Sequence, residues 1–363
     1  MSLRSSSARR LALQTLAVAT LGAAAAFVSG GPLDEIPEHL VDTGLYSDIA
    51  SHAIAKGVLA FEPQYPLWTD GATKRRWIRI PPGTSIDASD PDHLVFPVGT
   101  RLWKEFSFGR RVETRFLLLA TDGKWKFATY VWSADERRAA LAPERGVRAA
   151  CESAPGVPYD VPGRADCLAC HAAGSKSVLG FTALQLSSDR DPLAPHAQPV
   201  PADAVDLGEF VRRGLVRNLP ERFVQTPPRI VAATPRERAA LGYLNANCGM
   251  CHSSAGTLAG LGLDLSYSLA DSGKAPAIDT TLERPSRFRC ASDGDPLRIA
   301  PSAPELGVLP RRMASRQPLS QMPPLGTHLC DADALELVTE WIREDLARRV
   351  TTNSSDLHRN TSY

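Results

Sequence analysis

The stretch RVETRFLLLATDGKWKFATYVW, residues 111–132, decides how the first half of the chain is read. Asp122-Gly123 sits between two β-prone runs, a strong short-range hairpin signal. After the turn, Trp125, Phe127, Thr129 and Val131 alternate with Lys124, Lys126 and Ala128, as a strand with one buried face requires. RRWIRI (75–80), bounded by Pro81, Pro82 and Gly83, and TRLWKEFSF (100–108), closed by Gly109, read as further strands. Five of the six tryptophans (Trp68, Trp77, Trp103, Trp125, Trp132) fall in this region, and core packing is the expected use of them, ahead of an aromatic carbohydrate-binding face. Residues 61–142 are therefore expected to form an antiparallel sandwich or barrel-like unit. Residues 32–60 read as a short helical lead-in, and residues 142–163, rich in proline and glycine, as a linker.

Past residue 163 the character becomes helical. Thr234-Pro235-Arg236-Glu237 combines a threonine cap, proline at the first position and glutamate three after the cap. That helix should pass through Leu241 and Leu244 into YLNANCGMCH, residues 243–252. A second helix is expected in DADALELVTEWIREDLARR (331–349), where Leu335, Val338, Trp341, Ile342 and Leu346 follow helical spacing. The expected class is α+β and multidomain: an antiparallel β-sandwich-like domain over 32–150, a first motif region over 151–233, a mainly α domain over 234–350, and a polar disordered tail over 351–363.

CGMCH recurs in form as CLACH, residues 167–171. A zinc site wants four ligands of its own, and a redox pair wants only the thiols. Cys-x-x-Cys followed at once by histidine is the signature of covalent haem attachment. Two thiols reach two vinyl groups of one porphyrin, and the adjacent histidine falls under the iron. The pattern implies two covalently bound haem c groups, held by Cys167, Cys170 and His171 and by Cys248, Cys251 and His252, with the two histidines as iron ligands.

The sixth iron ligand separates electron transfer from oxygen or peroxide chemistry. QMPPLGT (321–327) lies between the second motif and the closing helix, and Pro323 and Pro324 would stiffen the loop around Met322. The order helix, CGMCH, methionine loop, closing helix resembles the class I cytochrome c fold, which makes Met322 the expected distal ligand of the second haem. Met313, in a helical run, reads as core, and Met250 sits inside the attachment motif. For the first haem no such loop exists. His196, in APHAQP, is the nearest downstream histidine, and His39, His52, His93 and His328 stay open. Cys290 and Cys330 flank the Met322 loop and suit a disulfide or two buried thiols, which leaves Cys151 as the odd cysteine.

Arg4, Arg9 and Arg10 precede an apolar, alanine-rich run over 11–28 and small residues at Ser29, Gly30 and Gly31, an export signal over 1–31 or an uncleaved anchor. Its removal takes three arginines and no acid, so the formal charge falls from +1 to −2. That balance does not suggest a nucleic-acid partner. No later segment is long and apolar enough to span a membrane. Export places the motifs in the periplasm, an oxidising compartment where c-type haem is attached.

Several stretches together resemble a group of bacterial dihaem c-type cytochrome-like proteins with a β-rich segment ahead of two haem motifs. They are YPLWTDGATKRRWIRIPPGT (65–84), FPVGTRLWKEF (96–106), ETR (113–115), DCLACH, LGFTALQLS (179–187), YLNANCGMCH and MPPLGT. The resemblance implies haem binding and electron transfer and names no substrate. The expected function is a periplasmic electron carrier, or the cytochrome partner of a dehydrogenase or another cytochrome. The alternative is a dihaem peroxidase-type oxidoreductase with one open haem.

Overall fold

In the computed structural model, residues 34–172, 178–271, 276–289 and 294–351 are described. The expected signal segment, residues 352–363 of the expected tail and Cys290 lie outside them. A 3-10 turn, Leu40–Thr43, comes first. Three short strands follow, β1 (Tyr46–Asp48), β2 (Ala53–Ile54) and β3 (Leu59–Ala60). The lead-in is thus not helical. Gly44 and Gly57 turn it at positive φ, +84° and +83°, where a helix cannot continue. Next come β4 (Thr73–Arg79), β5 (Ile86–Asp87), β6 (Arg101–Phe108), β7 (Arg110–Leu119), β8 (Trp125–Trp132) and β9 (Ala139–Leu141). One six-stranded antiparallel sheet, ordered β3-β4-β6-β7-β8-β9, forms here, and it does not close into a barrel. The expected second large sheet of a sandwich is absent among the described residues.

The expected linker is instead a hairpin, β10 (Val147–Ala154) with β11 (Val157–Val161). Pro155-Gly156, with Gly156 at φ +74°, is the turn signal that betrays it. Helix α1 (Arg164–His171) follows, then α2 (Leu207–Arg212), β12 (Val216–Arg217, paired in parallel with β5) and α3 (Glu221–Gln225). The last helices are α4 (Pro235–Asn247), α5 (Pro276–Asp279), α6 (Val308–Ala314) and α7 (Ala332–Glu340). Helix α7 continues through a π-type turn, Trp341–Leu346, and Thr351 is still helical. Among the described residues no helix is long and apolar enough to cross a membrane.

Strand alternation divides the sheet into two faces. Trp77, Trp103, Phe116, Leu118, Ala128, Tyr130 and Trp132 point to one side and build a core with Leu40, Leu45 and Tyr46. The Trp103 and Phe116 rings stack at 5.6 Å, and Trp77, Trp103 and Trp132 are core residues as expected, whereas Trp68 and Trp125 are half-buried. Ile78, Leu102, Leu117 and the half-buried Phe127 point to the other side, into a core that runs on through α4 to Trp341, Ile342 and Leu346. The helical half of the chain therefore packs on the second face of the sheet.

Helix α4 starts as its sequence dictates. Thr234 Oγ1 accepts from the Glu237 amide at 3.0 Å, and Glu237 Oε1 accepts from the Ala233 amide at 2.9 Å. Its interior glycine, Gly242, lowers helix propensity by about 1 kcal/mol relative to alanine. Space explains it: a Cβ there would stand 2.1 Å from the Tyr65 ring. Tyr65 is buried and its hydroxyl donates to Asp191 at 3.0 Å, so the ring has nowhere to go. Gly242→Ala should therefore destabilise the fold by about 1–3 kcal/mol despite the better helix former. Urea unfolding that shows a gain would mean that the ring yields.

Candidate functional site

Both Cys-x-x-Cys-His motifs lie on the helical side of the sheet. The first occupies α1, which the approach sequence YDVPGRAD does not advertise. Gly163 starts the helix, and Asp166 Oδ2 accepts from its amide at 2.9 Å. Cys167, Cys170 and His171, spaced by three and four residues, share one side of the helix. That side meets β8: Cys167 Sγ is 4.0 Å from Thr129 Oγ1, and the His171 and Phe127 rings lie 4.9 Å apart. A cavity of about 680 Å³ opens beside Cys167, with Phe127, Thr129, Ala142 and Arg164 in its wall.

The second motif begins where α4 ends, with Cys248 as C-cap. The amides of Cys251 and His252 both donate back to Cys248 O, at 3.1 and 2.9 Å, and fold CGMCH into a tight turn. His252 is 9 % exposed, and its Nδ1 is buried with no hydrogen-bond partner. Burial, with Arg312 and Arg298 nearby, holds its pKa below the usual histidine range.

All four motif thiols are unpaired. Burial raises the Cys170 thiol, and charge on Cys251 raises it further. Burial pushes Cys248 up to about 12, with Cys251 and Asp331 adding to the shift. Among the described residues no three His, Cys, Asp or Glu side chains gather into a metal-binding group. A haem iron takes four nitrogens from the porphyrin and one or two ligands from protein. The donor set, two thiols and a histidine in each motif, with the His252 Nδ1 buried and unengaged, fits attached haem.

Met322 is half-buried in the loop between α6 and α7. Its amide donates to Arg312 O at 2.9 Å, which ties it to the helix whose Arg312 charge acts on His252. Met313 is core, 8 % exposed, as its helical setting predicts. Cys330 is unpaired among the described residues, and its Sγ lies 3.5 Å from Met313 O. Cys151 is unpaired and half-buried in β10.

The open histidines separate by location. His52 packs on Trp132 at 5.7 Å, on the far face of the sheet. His39 bridges to Ala140, His93 pairs with Asp90 at 2.9 Å, and the exposed His328 faces Asp160 at 3.3 Å. His196 is not a bare loop residue: its Nε2 meets Asp331 Oδ1 at 2.7 Å, and Trp68 lies against its ring at 4.6 Å. Asp331, read from sequence only as a helix start, also accepts from the Ala334 amide at 3.1 Å, and its charge reaches Cys248.

Sequence reasoning missed a clasp around the second motif. Asn247, one residue before Cys248, accepts from the Trp68 amide at 2.7 Å and donates to Pro66 O at 3.3 Å. Asp70, buried at φ +47°, accepts from the amides of His328 and Leu329 at 2.9 Å, just past the Met322 loop. Gln185 pairs with Tyr65 in both directions, at 2.9 and 3.0 Å. The stretches YPLWTDG, LGFTALQLS and YLNAN thus interlock. No protein-family model, no curated protein and no solved structure matches this chain.

Proposed function

We propose that this chain is an exported dihaem c-type cytochrome that transfers electrons in the periplasm. The observation that carries the reading is the pair of Cys-x-x-Cys-His motifs, both in the helical half that packs on the second face of the sheet, with their thiols unpaired. Attached haem would supply reversible one-electron chemistry at each iron. The chain's own part is to hold and shield. Cys167 and Cys170, and Cys248 and Cys251, anchor; His171 and His252 present imidazole. Helix α1 seats the first motif on Phe127 and Thr129, and the Asp70 and Asn247 clasp fixes the second against the loop that carries Met322. Met322 is assigned as distal ligand of the second iron, and a dehydrogenase or another cytochrome as the redox partner. The class I cytochrome c likeness of residues 234–350 belongs to the same proposal.

Mass spectrometry of protein matured in a host that attaches haem c is the test: two haem-sized additions are expected, and their absence ends the reading. Met322→Ala should abolish the sulfur-to-iron charge-transfer band of the oxidised protein. A band that survives would remove Met322 from the iron.

One observation favours the dihaem peroxidase-type reading. The His196–Asp331 pair under Trp68 is a candidate acid–base pair close to Cys248, of the kind peroxide cleavage needs. Peroxide turnover by the two-haem protein, lost in His196→Ala, would establish it. No turnover in the native protein would eliminate it.

A further inference from the structure

The face of the sheet that meets both motifs carries cations where an apolar core would be expected. Alternation puts Lys74 and Arg76 of β4 on the same side as Ile78. The register sets Arg76 opposite Lys104, Lys104 opposite Arg115, and Arg115 opposite Thr129, the residue that touches Cys167. A row of positive side chains therefore crosses three strands and ends at the first motif.

Two of the four cations are answered. Glu62 takes Arg76 through both carboxylate oxygens at 2.6 and 2.8 Å. Glu113, fully buried, takes Arg115 at 2.7 Å and a hydroxyl from Tyr159 at 2.5 Å. Lys74 and Lys104 are not answered: among the described residues neither ammonium has a hydrogen bond or an ion pair. Lys74 is 5 % exposed, and Lys104 stands with its Nζ 5.0 Å from the Phe106 ring centre. The nearest further acid whose charge reaches Lys74 is Asp331, which is already engaged by His196 and the Ala334 amide. Direct carboxylate partners therefore meet only Arg76 and Arg115, and Asp331 acts on Lys74 from a distance.

A desolvated ammonium without a partner is costly, and Lys74 is buried while Lys104 is half-buried. Burial and the flanking Arg76 and Arg115 pull Lys74 down to about 7, and burial with Arg76, Lys74 and Arg115 lowers Lys104 well below the ordinary lysine value. The row ends beside the first motif, where Thr129, opposite Arg115, meets Cys167 at 4.0 Å. A porphyrin carries two propionate carboxylates, a matching pair of negative charges.

Resting on the dihaem reading, we propose that Lys74 and Lys104 receive the propionate carboxylates of an attached porphyrin, with Arg76–Glu62 and Arg115–Glu113 as the braced ends of the cradle. The lysines are positioning residues. Their charge sets the potential of the iron, because a nearby cation disfavours the oxidised, more positive haem.

The experiment is spectroelectrochemical titration of protein whose mass already shows both haems. Lys74→Met and Lys104→Met keep the buried stem and remove the charge. Each should lower the potential of at least one haem, the double variant should lower it further, and Lys104→Arg should hold it near the native value. Unchanged potentials in both single variants and the double variant, with both haems attached, would overturn the assignment and leave the cytochrome reading intact. If the native protein lacks the mass additions, the cytochrome reading falls first and this assignment with it.

Discussion

Alanine at Cys248 and Cys251 is expected to remove one haem-sized mass addition and leave the other, while alanine at Cys167 and Cys170 removes the complementary one. All four substitutions together should leave none. The expectation follows from chemistry: each thioether needs its own sulfur, and the other cysteines stand elsewhere, Cys151 in β10 and Cys330 beside Met313. Fold loss is not a rival explanation for the second pair. Cys248 caps α4 through its backbone amide, which donates to Leu244 O at 2.9 Å, and alanine keeps that bond. Circular dichroism of the purified variants should therefore retain the sheet signal. His252→Ala separates attachment from ligation: the mass should stay, and the low-spin spectrum of one haem should go. If the Cys248/Cys251 variant keeps both additions, the motif is not an attachment site.

Glu62→Ala should destabilise the protein by about 3–5 kcal/mol, the cost of leaving one member of a buried ion pair without its partner. Arg76 and Glu62 meet at 2.6 Å with side chains 5 % and 3 % exposed. Burial pushes the Glu62 carboxyl up even though Arg76 pulls it down, and burial lowers Arg76 even with Glu62 beside it. Desolvation thus outweighs attraction for both partners, so the pair adds little net stability but is costly to break. The double variant Glu62→Leu with Arg76→Met should recover most of the loss, since a filled apolar pair carries no desolvation cost. Urea unfolding of the four corners of that cycle tests it. A Glu62→Ala loss under about 1 kcal/mol would show that water reaches Arg76.

The hairpin over 111–132 was legible because β-prone runs and Asp-Gly chemistry act between neighbours in sequence, and β7 pairs with β8 there; the expected one-sided burial did not follow, because Ala128, Tyr130 and Trp132 bury the other face of β8 more deeply than Trp125, Phe127 and Val131 do theirs. The start of α4 was legible for the same reason: Thr234 and Glu237 cap within one turn. The hairpin of β10 and β11 was misread because proline and glycine mark both linkers and turns. Alternation in VRAACESA is faint, with no residue of β10 fully buried. The lead-in was misread because its apolar residues, Leu40, Leu45 and Tyr46, serve a core supplied by distant strands.

Local chemistry by itself determined the strands of the sheet, the cap of α4 and the thiol–imidazole sets at Cys167–His171 and Cys248–His252, because each depends on groups a few bonds apart. The tertiary structure decided which side chains face those sets. Lys74, Lys104 and Arg115 become one row only through cross-strand register, and Asp70 reaches His328 across 258 residues of sequence. Such neighbours are chosen by the burial of a whole face, a sum over the chain that no short stretch contains.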